Sequence, residues 1–233
     1  SVDPRETTTT KQYELGTELI KKDQKWRYCK NGAVQLAPGK LVQASAPVAN
    51  HVDRSPAADV AIGSKTVDVS IGATAATANQ YAGGFLQVID GAGEGYLYRV
   101  ASHPAHAGSG DLTVTLEEGI KVALVAAGPN SKVSLIANPW SGALVAATGL
   151  TAHLLGAATQ TIPIGQYFWA QVGGPCAVLA DGVLTVGNLV VRSNNAAGAV
   201  ETSADATDLQ ELVGVAIQSA ADGEYGAVHL TLE

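Results

Sequence analysis

Alternation of apolar and polar residues is the clearest regularity in the chain. In Lys65-Thr66-Val67-Asp68-Val69-Ser70-Ile71 the aliphatic residues fall on every second position. That spacing puts them on one face of a pleated strand. Similar short runs predict strands at 85–89, 96–100, 112–116, 121–125, 132–136, 167–172, 176–179, 189–191, 212–217 and 227–232. Glycine, proline and asparagine separate them. Asn31-Gly32 and Asp181-Gly182 predict tight hairpins, because both central residues of a type I′ turn need positive φ. No long stretch carries a helical period, and a short helix over 204–212 is the main exception expected. The fold class is therefore all-β: a barrel or sandwich of short antiparallel strands.

The first 24 residues differ from the rest. Thr7-Thr8-Thr9-Thr10 is polar and extended, and residues 14–22 fit a short helix or an arm. Such a segment buries too little by itself to offset its ordering entropy. The expected organisation is an extended N-terminal arm over 1–24, a β-rich module over 25–149 and a barrel-like module over 150–233, with one continuous domain from 25 as the alternative. Proline-bearing connections interrupt the strand pattern at Pro47, Pro56 and Asn138-Pro139. There is also an internal echo. Asn31-Gly32 precedes Gly39 and Leu41-Val42, as Asp181-Gly182 precedes Gly187 and Leu189-Val190, with spacings that differ by two residues. It marks either similar sheet units or the shared grammar of hairpins.

Composition narrows the function. The chain is 46% hydrophobic but only 5% aromatic and 15% charged, with net charge −7. Lys21-Lys22, with Lys25 and Arg27 nearby, is the densest basic group. This argues against nucleic acid, which requires concentrated Lys and Arg. No run of about 18 apolar residues is present to span a membrane, and the polar N-terminus predicts no secretory leader. Cys29 and Cys176 are read as buried, reduced thiols.

Candidate chemistry is thin. Gly91-Ala92-Gly93-Glu94-Gly95 has a phosphate-loop look, but a strand follows where a helix N-terminus would be needed. His103-Pro104-Ala105-His106 reads as a surface loop, since a zinc site requires three or four ligands. His51, Asp53 and Ser55 supply the residue types of a triad without a nucleophile elbow. Glu117-Glu118 sits at a turn, and His153 and His229 are isolated. The expectation is no catalytic residue, no cofactor and no metal.

The C-terminal third resembles small β-rich decoration (cement) proteins encoded among tailed-bacteriophage structural genes. The resemblance is carried by Gly165-Gln166-Tyr167-Phe168-Trp169-Ala170-Gln171, Gly174-Pro175-Cys176-Ala177-Val178-Leu179, Gly187-Asn188-Leu189-Val190 and Leu212-Val213-Gly214-Val215-Ala216. Gly72 to Gly84, Gly93-Glu94-Gly95 and Tyr98-Arg99 are similar to phage virion proteins. These are turn and strand residues, so no individual binding residue carries over. The resemblance implies a non-catalytic virion protein, assembled in the host cytoplasm, that binds the outer capsid surface and stabilises it. Its partners would be the major capsid protein and itself, as a homotrimer or a dimer. Tyr13, Leu15 and Leu19 of the arm, with Trp26 and Trp140, are the expected interface residues, because aromatic side chains anchor protein contacts. The alternative is a fibre or spike module binding host carbohydrate.

Overall fold

The computed structural model describes residues 2–127, 131–203 and 210–233. Among them the strands are β1 (Glu18–Lys21), β2 (Gln24–Asn31), β3 (Leu41–Gln43), β4 (Thr66–Ile71), β5 (Phe85–Asp90), β6 (Leu97–Ser102), β7 (Gly110–Leu116), β8 (Lys132–Ile136), β9 (Ser141–Val145), β10 (Leu154–Ala158), β11 (Tyr167–Leu179), β12 (Leu189–Arg192), β13 (Val200–Thr202), β14 (Leu212–Ala216) and β15 (Tyr225–Thr231). The fold is all-β, with one 3-10 turn among the described residues, at Ala49–His51. Most of the expected helix at 204–212 lies outside the described residues, and Leu212 itself opens β14.

The chain divides into two units, one formed by Ser1–Ala46 with Pro139–Glu233 and the other by Pro47–Asn138. This differs from the expected division at 24 and 149. Residues 25–46 pair with strands more than a hundred positions away, so the middle unit is an insertion rather than the end of a first module. Pro47 and Pro139 stand at its two ends.

In the outer unit, β2, β9, β3, β10 and β11 close a ring, because β2 pairs both β9 and β11. The C-terminal half of β11 then begins a second ring through β15, β14, β12 and β13, which the parallel bridge between Ala180 and Val200 closes. Two five-stranded barrels thus share one 13-residue strand. Gly173-Gly174-Pro175, expected to turn the chain, continues β11, and Gly174 takes φ +78 against the backbone of Asp23.

The two barrels are copies of one another in register. β3 meets β10 as Leu41 with Ala157, Val42 with Gly156 and, after a bulge, Gln43 with Leu154. β12 meets β14 as Leu189 with Val215, Val190 with Gly214 and, after the same bulge, Val191 with Leu212. The bulge glycines are sterically required, since a Cβ would lie 2.6 Å from the Gln171 oxygen at Gly156 and 2.0 Å from the His229 oxygen at Gly214. β9 pairs β3 and β13 pairs β12 at matching positions. The cores match as well: Cys29, Leu36, Val42, Ala143, Leu155, Ala158 and Ile162 fill the first. Val178, Leu184, Val190, Val200, Val213, Ala216 and Ala220 fill the same places in the second. The echo in the sequence is therefore a duplication. The first copy has one more residue between its opening strand and its corner, which displaces the Asn-Gly and Asp-Gly landmarks.

Each corner between strands follows one rule. Leu36 exchanges two backbone hydrogen bonds with Ile162, both 3.0 Å, and Leu184 does so with Ala220 at 2.9 and 3.2 Å. Three residues later the backbone turns left-handed at Gly39, Gly165, Gly187 and Gly223, with φ between +70 and +86, where glycine carries no Cβ penalty. The inserted unit repeats the device with Val60 on Leu124 and Ala76 on His106, followed by positive φ at Gly63, Asn79 and Ser109.

These corners overturn three local expectations. Asn31-Gly32 and Asp181-Gly182 are not hairpins, because β2 and β3 are separated by β9, and β11 and β12 by β15 and β14. Asn31 instead buries its amide, which donates to the carbonyls of Val34, Ile162 and Pro163 at 2.9–3.1 Å. Residues 121–125 are a corner and not a strand, with Leu124 seated on Val60.

The insertion sits in the loop between β3 and β9. The second barrel has only residues 193–199 between the equivalent strands β12 and β13. In the inserted unit β4, β7, β6, β5 and β8 form a sheet. Arg54 bridges β8 and Pro56 bridges β4, so residues 54–56 connect its two edges around a core that includes Val67, Val69, Leu86, Val100 and Leu135.

Candidate functional site

The expected interface residues meet within the chain. Tyr28 and Tyr167 stack at 5.8 Å, Tyr28 lies 5.0 Å from Trp169, and Tyr13 closes on both Tyr28 and Trp169 at 5.3 Å. Leu15 and Leu19 pack against Trp26, Tyr28 and Trp169. The supposed arm is sewn to the first barrel. Thr8 exchanges backbone hydrogen bonds with Tyr167 at 2.8 and 3.0 Å, Gly16 N–H donates to Tyr28 O, and β1 pairs β2 with Leu19 opposite Trp26. Residues 14–22 accordingly form a turn, closed by Thr17 N–H on Glu14 O, followed by strand β1, and not a helix. Trp26 is 4% exposed and its ring is spent on internal packing. Trp140 is half-buried beside Gly16, with the Arg27 guanidinium over its ring at 5.9 Å. Tyr13 alone of the five is exposed.

The titratable candidates are engaged locally. His51, Asp53 and Ser55 form no triad: His51 is buried in the inserted unit against the Tyr81 hydroxyl, and Ser55 accepts from Lys132 Nζ at 2.9 Å. His51 Nε2 donates to Thr74 O at 2.9 Å, so its Nδ1 accepts from Tyr81. His103, expected in a surface loop, is buried. Its Nε2 accepts from Tyr81 N–H at 3.0 Å and its Nδ1 donates to Pro104 O at 2.8 Å. Burial holds the imidazole of His103 below the usual histidine range and pushes the Tyr81 phenol up to about 12. His106 instead accepts from Gly108 N–H. His51, Tyr81 and His103 thus form one satisfied polar cluster, with neither ring presented to solvent as a base.

Both thiols are free and buried. Burial raises Cys176 to about 12 and Cys29 further, which keeps them unreactive at neutral pH. Gly91 to Gly95 forms the turn between β5 and β6. Among the described residues no three His, Cys, Asp or Glu side chains gather as a metal site, and no helix is long and apolar enough to cross a membrane.

Sequence reasoning missed Arg192. It is buried, and its guanidinium donates to the carbonyls of Ala147, Ala152 and Gly149 and to Gln43 and Glu211. It ties β12 to the loop between β9 and β10. The signal was an arginine closing the apolar run Leu189-Val190-Val191.

The remaining surface features are apolar faces and a cleft. In the inserted unit Ile89, Tyr96, Leu97 and Ile136 are exposed on or beside β5, β6 and β8. In the second barrel Val183, Val186, Leu189, Leu212 and Ile217 are exposed. A cleft of about 440 Å³ is lined by Arg5, Gln24, Pro38, Gln171, Pro175 and Tyr225. The chain matches no protein-family model, and no curated protein and no solved structure matches it.

Proposed function

We propose that the protein is a non-catalytic virion component that decorates the outer surface of an assembled tailed-phage capsid and stabilises it. Its partner is the major capsid protein, and it is assembled onto the shell in the host cytoplasm. The observation that carries this reading is the insertion of a complete β unit into a scaffold loop. A module placed where the sister barrel has seven residues displays its own surface, and such loops are where folds carry function. That module offers Leu97, Ile89, Ile136 and Tyr96 as an apolar contact face. The internal engagement of His51, Tyr81 and His103 supports a structural rather than a catalytic role for the same unit. Many identical copies on a shell need only modest affinity each, because multivalency multiplies weak contacts.

The test is cryo-electron microscopy of capsids stripped of this protein, with and without purified protein added back. Symmetric density returning to the outer shell is the expected result. Absence of added density, with the protein found at tail or fibre positions of intact virions, overturns it. A second reading, a carbohydrate-binding fibre module, is favoured by the cleft that sets Tyr225 beside the polar side chains of Arg5, Gln24 and Gln171. Glycan-array binding that is lost in Tyr225→Ala would establish it.

A further inference from the structure

We propose that the outer face of β12 and β14 in the second barrel seats the same face of a second copy of this chain, giving a closed two-fold dimer. The proposal rests on the duplication and holds whether or not the chain binds a capsid.

The first barrel shows what this face is for. There the equivalent row, Leu41, Ala157 and Gln171 with Leu154 beside it, is at most 7% exposed. Leu41, Leu154 and Ala157 belong to the same apolar cluster as Cys176, Val178 and Leu230 of the second barrel. The wall of one repeat is thus covered by the next repeat. In the second barrel the row is Leu189, Val215 and His229. Leu189 is 54% exposed, Leu212 48% and Ile217 45%. The two leucines are retained at matching positions, yet among the described residues nothing covers them.

The symmetry follows from the other end of the molecule. A head-to-tail stack would need the first barrel to receive the face as the second barrel does, through Cys176. Arg27 stands at that position in the first barrel, since Arg27 faces Ala170 and Cys176 faces Val228. Arg27 is ion-paired to Glu18 at 3.1 Å and to Glu233, and β1 pairs β2 beside it. That end is closed, which leaves like meeting like, the isologous contact of a two-fold dimer. Residues 185–191 and 212–217 contain no charged side chain, so two faces meet without like charges opposed across them.

The test is sedimentation of the full chain over a dilution series. A monomer–dimer equilibrium is expected. Leu189→Glu with Leu212→Glu should weaken it by about 100-fold, as loss of central apolar anchors does. Ile62→Glu, an exposed apolar site in the inserted unit, should leave it unchanged. Circular dichroism of the double variant checks folding. Hydrogen exchange of the unaltered chain supplies an independent reading, with the amides of 212–217 gaining protection as concentration rises. A chain that stays monomeric throughout, a trimer, a dimer that survives the double substitution, or concentration-independent exchange over 212–217 overturns the proposal.

Discussion

Leu41 and Leu189 occupy the same place in the two barrels, yet Leu41 is fully buried and Leu189 is half exposed. Identical residues at equivalent positions should therefore respond differently. Leu41→Ala removes buried methyl groups and leaves a cavity, for an expected loss of about 2–5 kcal/mol. Leu189→Ala should change the stability of the dilute monomer by less than about 0.5 kcal/mol. Urea titration of both variants checks this.

The corner glycines provide a second internal control. Gly39 and Gly187 both adopt positive φ, and alanine there costs about 1–2 kcal/mol from backbone strain alone. At Gly187 an added Cβ meets nothing within 4 Å, whereas at Gly39 it falls 2.4 Å from the Tyr225 ring. Gly39→Ala should lower the midpoint of thermal unfolding clearly more than Gly187→Ala.

The buried imidazole of His103 makes the inserted unit acid-sensitive. Its proton affinity is lower in the folded chain than the ordinary value of 6.5, so the unfolded state binds the proton more tightly. Stability from this group is present above about pH 6.5 and is lost as the pH falls toward the lower folded value. The backbone N–H of Tyr81 cannot reverse its direction, so protonating His103 Nε2 breaks their hydrogen bond. One proton limits the slope to about 1.4 kcal/mol per pH unit. Denaturation measured between about pH 5 and 8 should show an acid limb that flattens in His103→Gln, with His51 and Tyr81 intact.

Removing the insertion should leave the barrel pair folded. A chain in which Ala46 is joined to Pro139 through a loop the length of 193–199 keeps every strand of both barrels. It should unfold cooperatively with a β-type circular dichroism spectrum. A molten or insoluble product would show that the insertion supports the scaffold.

Legibility of the fold followed burial. β4 was plain in the sequence because Val67, Val69 and Ile71 face the core while Thr66 and Asp68 face solvent. β10 was invisible because all five of its residues, from Leu154 to Ala158, are buried, which erases alternation. The Asn31-Gly32 signal failed because two of the three carbonyls that hold the Asn31 amide, those of Ile162 and Pro163, lie over a hundred residues away, a contact no local pattern encodes. The duplication was half visible through Gly39 and Leu41 against Gly187 and Leu189. The other half, with Gly156 and Tyr167 answering Gly214 and Tyr225, depends on strand register. The same limit applied to contact residues. Trp26 and Trp140 look alike in sequence, but the fold alone decides that one is sealed and the other lies under an arginine.

Strand β11 has a mechanical consequence. Phe168 and Ala170 along it fill one barrel, and Val178 fills the other. Neither barrel can lose this stave without opening its twin. The pair should therefore melt as a single block under heat or tension, with β11 the last segment to give up its amide protons to solvent.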